Sequence, residues 1–123
     1  MRLPLLAALL AAMATPAFAQ REKVYTPTIL PVGKWAEGIA SDGKELWVAE
    51  SGQRSIAQIA ASGTITRHPV GRLPVDMASS NGRIYSVIRT DQVVWEYTPG
   101  KGDRTLKRFP DAPAGMTTVG SQI

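Results

Sequence analysis

Gly38-Ile39-Ala40-Ser41-Asp42-Gly43-Lys44-Glu45-Leu46-Trp47-Val48-Ala49 lies over Asp76-Met77-Ala78-Ser79-Ser80-Asn81-Gly82-Arg83-Ile84-Tyr85-Ser86-Val87 at an offset of 38. Ile39 meets Met77, Ala40 meets Ala78, Leu46 meets Ile84 and Trp47 meets Tyr85. A third copy opens at Gly115-Met116-Thr117-Thr118-Val119, with Met116 set against Met77 at an offset of 39. A period near 40 made of short β-rich runs is the pattern of four-stranded propeller blades. The expected fold is all-β: a partial β-propeller of about two and a half antiparallel blades, with units starting near residues 36, 75 and 114.

Each unit predicts four strands. In the first, Ala36–Ser41 is small and apolar, as a crowded inner strand requires. Asp42-Gly43-Lys44 reads as a tight primed hairpin turn, because Asp-Gly tolerates positive φ. Leu46–Ala49, Ser55–Ile59 and Thr64–Pro69 follow, separated by Ser51-Gly52-Gln53 and Ser62-Gly63. In the second unit Val75–Ser79, Ile84–Ile88, Val93–Tyr97 and Thr105–Pro110 repeat the order, with Asn81-Gly82 as the hairpin turn. There Arg108-Phe109-Pro110 is set against Arg67-His68-Pro69, an offset of 41, with the extra residues expected in the Pro99–Gly102 turn. The tripeptide Pro31-Val32-Gly33 returns as Pro69-Val70-Gly71. Tyr25–Leu30 is therefore expected to be a leading outer strand, and Pro27 within it points to a sheet edge. No helical period of apolar residues runs through residues 20–123.

Residues 1–19 read as a signal peptide. Arg2 gives a positive start, Leu3 to Met13 is almost all Leu and Ala, and Ala17-Phe18-Ala19 is a small-x-small cleavage pattern before Gln20. The apolar run is too short to span a bilayer; an uncleaved anchor is the alternative. Residues 20–28 form a polar leader into the repeat, which occupies 29–123. No membrane span is expected after cleavage, and the chain is expected to be periplasmic or secreted by a bacterial export route. It has no Cys, so neither disulfides nor thiol chemistry contribute. The net charge of +4 falls to +3 without Arg2, and the charges are interspersed. Even the run Arg104-Thr105-Leu106-Lys107-Arg108 is flanked by Asp103 and Asp111, so no nucleic-acid face is expected.

The repeat residues resemble the streptogramin-lyase (virginiamycin B lyase-like) propellers and the related NHL-repeat propellers. The likeness is carried by Gly38-Ile39-Ala40, Asp42-Gly43, Leu46 to Glu50, Ser55 to Ile59, Gly63 to Thr66 and Pro69-Val70. It extends from about Ile29 to the C-terminus and implies that Trp47 and Tyr85 are packing aromatics. It also implies a ring of six or seven blades, about 240–290 residues at this period. The chain beyond Ala19 holds less than half of that. Two expectations follow: the chain is a fragment of a longer propeller, or several copies assemble to complete a ring. By the same resemblance, the lyases carry a His and carboxylates with bound magnesium in later blades.

The chemistry-bearing residues are few. His68, the one histidine, falls in an outer strand between Arg67 and Pro69 and is expected at the surface. Asp42, Asp91 and Asp103 lie in or beside turns, where Asp bonds its own backbone. Glu37-Gly38 is similar to the metal-binding Glu-Gly of gluconolactonase-like propellers. With Asp76, Glu37 makes a candidate for a divalent cation, calcium or magnesium, though hard cations need several converging oxygens. Loops joining second to third strands line one rim of a propeller, where ligands and partners bind. The candidate ligand or partner residues are thus Glu37, Arg54, Asp76, Arg89 and Gln92. The expected function is an exported propeller module that binds or scaffolds through this rim, without catalytic residues of its own. The alternative is the N-terminal part of an extracytoplasmic enzyme of streptogramin-lyase or lactonase type.

Overall fold

The computed structural model describes residues 24–120 and residue 123. The proposed signal peptide lies outside the described residues. Eight strands follow one another as β1 (Ala36–Ser41), β2 (Leu46–Glu50), β3 (Ser55–Ile59), β4 (Ile65–Pro69), β5 (Pro74–Ser80), β6 (Arg83–Ile88), β7 (Val93–Thr98) and β8 (Gly102–Arg108). A single 3-10 turn, Ser51–Gln53, interrupts them. They form two antiparallel four-stranded sheets, β1-β2-β3-β4 and β5-β6-β7-β8, each in chain order. The all-β expectation holds, and every strand but β8 falls close to the range read from sequence.

Strand alternation decides what each sheet buries. In the first sheet Trp47, Ala49 and Ile56 point toward the second. In the second, Ile84, Ile88, Val93 and Trp95 point back, with Met77 between them. The intervening residues Val48, Ala57 and Ile59 form a smaller cluster on the opposite face of the first sheet. Both repeat aromatics are buried, Trp47 fully and Tyr85 almost so.

The sheets meet most closely along β1 and β5. A Cβ on Gly38 would stand 2.8 Å from the Asp76 Cα and 2.9 Å from the Met77 nitrogen. Only glycine allows that approach. The Ser79 hydroxyl donates to the Ser41 carbonyl at 2.6 Å, and the Ser51 hydroxyl donates to the Pro74 carbonyl.

The repeat extends to backbone conformations that composition does not reveal. Trp35 and Leu73, which the repeat sets against each other, have φ of 54° and 58°; Arg54 and Gln92, equally spaced, have 54° and 57°. The loop bonds repeat with them. Ser51 N donates to Trp35 O and Gly52 N to Lys34 O; Arg89 N donates to Leu73 O and Thr90 N to Arg72 O. Left-handed backbone costs a non-glycine residue about 1–2 kcal/mol, so these bonds must hold it in place.

Four expectations need correction. Asn81 and Gly82, both at positive φ, make the two-residue primed turn, but Asp42–Glu45 is a wider loop. There the Asp42 carboxylate accepts bonds from the Lys44 and Glu45 nitrogens, each at 2.8 Å. The inserted residue of the second unit lies within β8, not in the 99–102 turn. Trp95 pairs with Thr105 and Val94 with Lys107, leaving Leu106 as a bulge. Since Ala57 pairs with Arg67 and Ile56 with His68, the counterpart of His68 is Lys107, not Phe109. Residues 24–32 join neither sheet. Leu30 and Val32 nevertheless pack on the outer face of the first sheet, and the repeat sets them against His68 and Val70. The segment takes the place of an outer strand without a ladder partner beside it. The third inner strand is likewise incomplete: residues 109–120 contain only an isolated bridge at Val119.

Candidate functional site

The strand register gathers the rim residues at one end of both sheets. Ala36 pairs with Glu50 and Glu50 with Ser55, so the start of β1 lies beside the β2–β3 turn. Pro74, Ile88 and Val93 repeat this in the second sheet. Glu37, Arg54, Asp76, Arg89 and Gln92 all fall at that end. They divide into two groups.

Glu37, Arg54 and Arg89 are exposed. Arg54 sits on the left-handed residue that ends the 3-10 turn, and its carbonyl accepts from Val70 N. Asp76 and Gln92 are half-buried and already engaged. The two Asp76 carboxylate oxygens accept from Met77 N and Met116 N, both at 2.9 Å. The Gln92 side-chain amide donates to Pro110 O at 2.9 Å, and the Gln92 backbone carbonyl accepts from Phe109 N. These two are anchors for the strand and loop that follow the second sheet.

The committed oxygens of Asp76 also bear on the cation reading. Among the described residues no group of three or more His, Asp or Glu side chains could hold a metal ion. Glu37 and Asp76 are not joined by a further ligand.

Two rim cations escaped the sequence reading. Lys34 and Arg72 are exposed or nearly so and occupy equivalent loop positions, their carbonyls accepting from Gly52 N and Thr90 N. Arg72 also lies 3.8 Å from Asp91, whose other oxygen accepts from the Arg72 nitrogen at 3.1 Å. Asp91 therefore bonds the neighbouring turn and not its own. The 38-residue spacing of Lys34 and Arg72 was the available signal.

A second polar cluster lies at the seam between the sheets. His68 is not a surface residue: it is half-buried and stacks on Trp47, with ring centroids 5.4 Å apart. Tyr97 of the second sheet stands 4.9 Å from it. The cause is register, since His68 pairs with core-facing Ile56. Its Nε2 lies 2.8 Å from the Gln58 side-chain oxygen, and the Gln58 amide donates to Glu45. Burial pushes the imidazole below its ordinary pKa, against opposing pulls from Asp103 and Glu45. Asp103 accepts from the Trp95 indole at 2.8 Å, a tie between strands that corrects its reading as a turn residue. Asp42 does bond its own turn, and also accepts from the Trp47 indole. Facing an amide on one side and aromatic rings on the other, the histidine packs the seam between the two sheets.

Two buried carboxylates complete the electrostatics. Glu50 accepts from Gly33 N, the Ser55 hydroxyl and Arg67 Nε. Burial alone would raise its pKa, but these bonds, led by Arg67, outweigh it and hold the carboxyl below its ordinary range. Glu96 is held low mainly by Arg104, which donates to it at 2.7 Å.

No family model matches the chain, and no curated protein does. Among solved structures it is similar to a chain of hydrazine synthase from Kuenenia stuttgartiensis, with a TM-score of 0.58 at 19% identity. The match covers 78% of this chain and 28% of that one. At that identity the likeness concerns the fold alone. It agrees with an all-β chain of antiparallel sheets.

Proposed function

We propose that the two sheets are successive blades of a β-propeller of the streptogramin-lyase or NHL type, and that the exported protein binds a ligand or protein partner through the rim where β1 and β5 begin. The 38-residue spacing of sequence, loop bonds and left-handed residues supports the blade reading. So does the way each sheet turns one face to its neighbour and leaves the other for a further unit. The observation that carries the binding reading is the state of Glu37, Arg54 and Arg89. All three are charged and exposed, Arg54 and Arg89 on loops whose backbones are fixed by repeated hydrogen bonds and Glu37 at the start of β1 beside them, and none has a side-chain partner among the described residues. Charge presented on a rigid loop is what recognition requires and packing does not. Lys34 and Arg72 widen the cationic part of the rim, which favours ligands bearing carboxylate or phosphate.

The test is a chemical-shift screen of small carboxylates, phosphates and sugars against the labelled protein. Perturbations clustering at Lys34, Arg54, Arg72 and Arg89, and abolished in an Arg54→Ala/Arg89→Ala double variant, are the expected result. Ligands that perturb only the sheet faces, or none that saturate, would refute the rim.

A further inference from the structure

At the far end of the strands from the rim, the second sheet departs from the first in charge. Where the first has Glu45, Gln58 and Thr66, repeat spacing and strand register set Arg83, Glu96 and Arg104. Lys101, in the turn between β7 and β8, adds a third cation. A cavity of about 250 Å³ lies among these side chains. Glu96 is 3% exposed, and its carboxylate accepts from Arg104 Nε at 2.7 Å and from the Thr98 hydroxyl at 3.4 Å. Arg83 Nη1 stands 3.9 Å from the other oxygen. Burying a carboxylate is costly, and the first sheet builds the same strand with the neutral Gln58. What Glu96 adds is a hold on two guanidiniums beside one cavity. Arg104 bonds it through Nε alone, so both terminal nitrogens of that fork are free, and Lys101 has no side-chain partner among the described residues.

We infer that this cavity is an anion site for a phosphate monoester, with Arg83, Lys101 and Arg104 donating to the phosphate and Glu96 positioning the two guanidiniums. Charge points to an anion. Asp103 also lines the cavity, but its carboxylate is engaged by the Trp95 indole, and even with both acids counted the cations are in excess. The number of donor groups points to phosphate. Three cationic groups match the three terminal oxygens of a monoester, which carries a charge of about −1.5 to −2. A carboxylate has two oxygens and would leave one cation unmet. The place is also reachable. Arg83, Lys101 and Arg104 are exposed, and on the first sheet, whose corresponding face is packed by the second, Thr66 stays exposed and Glu45 and Gln58 half-buried. The inference is independent of what binds the rim, which lies at the opposite end of the strands.

The probe is glycerol 3-phosphate, titrated by NMR into the isotopically labelled full chain, with acetate and glycerol as controls. The expected result is saturable binding tighter than about 1 mM, with shifts at Arg83, Glu96, Lys101 and Arg104, and acetate weaker by about tenfold or more. Lys101→Ala removes an exposed side chain without a partner, so it should leave the melting temperature unchanged and weaken binding about tenfold. Glu96→Gln makes the site more cationic, and charge alone would tighten binding. Loss of the positioning carboxylate should instead weaken it by about threefold or more. The inference is overturned by no saturation at about 10 mM ligand, by acetate or glycerol binding equally well, by shifts confined to Lys34, Arg54, Arg72 and Arg89 at the rim, by indifference to Lys101→Ala, or by tighter binding in Glu96→Gln.

Discussion

The two sheets share a backbone plan but place their buried charge differently. The first buries Glu50 at the end of β2, where the second has Ile88; the second buries Glu96 on β7, where the first has Gln58. Glu50 reaches out of its own sheet to Gly33 N, while Arg67, its partner, also reaches the Pro31 carbonyl. It fastens the incoming segment that has no strand partner. Glu96 stays within its sheet, between Arg83 on β6 and Arg104 on β8. The repeated residues are those that fix backbone path, and the unrepeated carboxylate marks where a unit must hold a piece of chain that lies outside the ladder.

The contrast is sharpest at the inner strands. Gly38 is pressed on β5 backbone, whereas its counterpart two units on, Gly115, has only the Asp76 carboxylate near it. Gly38→Ala is expected to cost about 3 kcal/mol through forced separation of the sheets, and Gly115→Ala under about 1 kcal/mol. Urea unfolding midpoints at constant m-value measure both. Equal costs would mean that the β1–β5 contact yields more readily than its spacing implies.

The carboxylates come next. Breaking a buried pair from one side leaves its partner uncompensated, and Arg67 is part-exposed, so Glu50→Gln should cost roughly 2–3 kcal/mol. Glu96→Gln should cost roughly 1 kcal/mol, since Arg83 and Arg104 both rehydrate readily. Both carboxyls are held below their ordinary value near 4.5 in the fold. Just below that value the unfolded chain binds more protons than the folded one. Their stabilisation is therefore complete above pH 4.5 and is lost as pH falls through the folded values. Thermal melts taken from neutral into acid should show a shallower decline for Glu50→Gln than for the parent. A parallel decline would place the acid sensitivity elsewhere.

The smallest difference concerns the paired left-handed residues. Arg54→Gly relieves positive φ at no contact cost and should gain about 0.5–1 kcal/mol. Gln92→Gly relieves the same strain but loses the amide bond to Pro110, so it should gain nothing. Calorimetric melting temperatures distinguish the two.

The fold was legible because its determinants are local. Asn-Gly supplies a primed turn, apolar alternation sets a strand, and a 38-residue echo supports each. What stayed hidden depends on partners distant in sequence. His68 looked superficial between Arg67 and Pro69, and only its pairing with Ile56 turns it inward. Asp91 and Asp103 have the composition of turn residues, yet their hydrogen bonds go to Arg72 and to the Trp95 indole. Tyr25–Leu30 has strand-like residues but no neighbouring strand to complete its ladder. Of the rim, the position of all five candidates at one end was readable from the repeat. The division into three unpaired charges and two anchors was not, because Met116 N and Pro110 O reach them from beyond the second sheet.

The bulge at Leu106 bears on how the protein behaves when concentrated. An exposed edge strand ordinarily offers a row of free amides on which other chains can stack into fibrils. β8 is exposed along its whole length, and the extra residue kinks that row and interrupts its spacing. Lys107, beside the kink, adds a charge that a second edge would have to bury. The protein is thereby protected from polymerising through this edge.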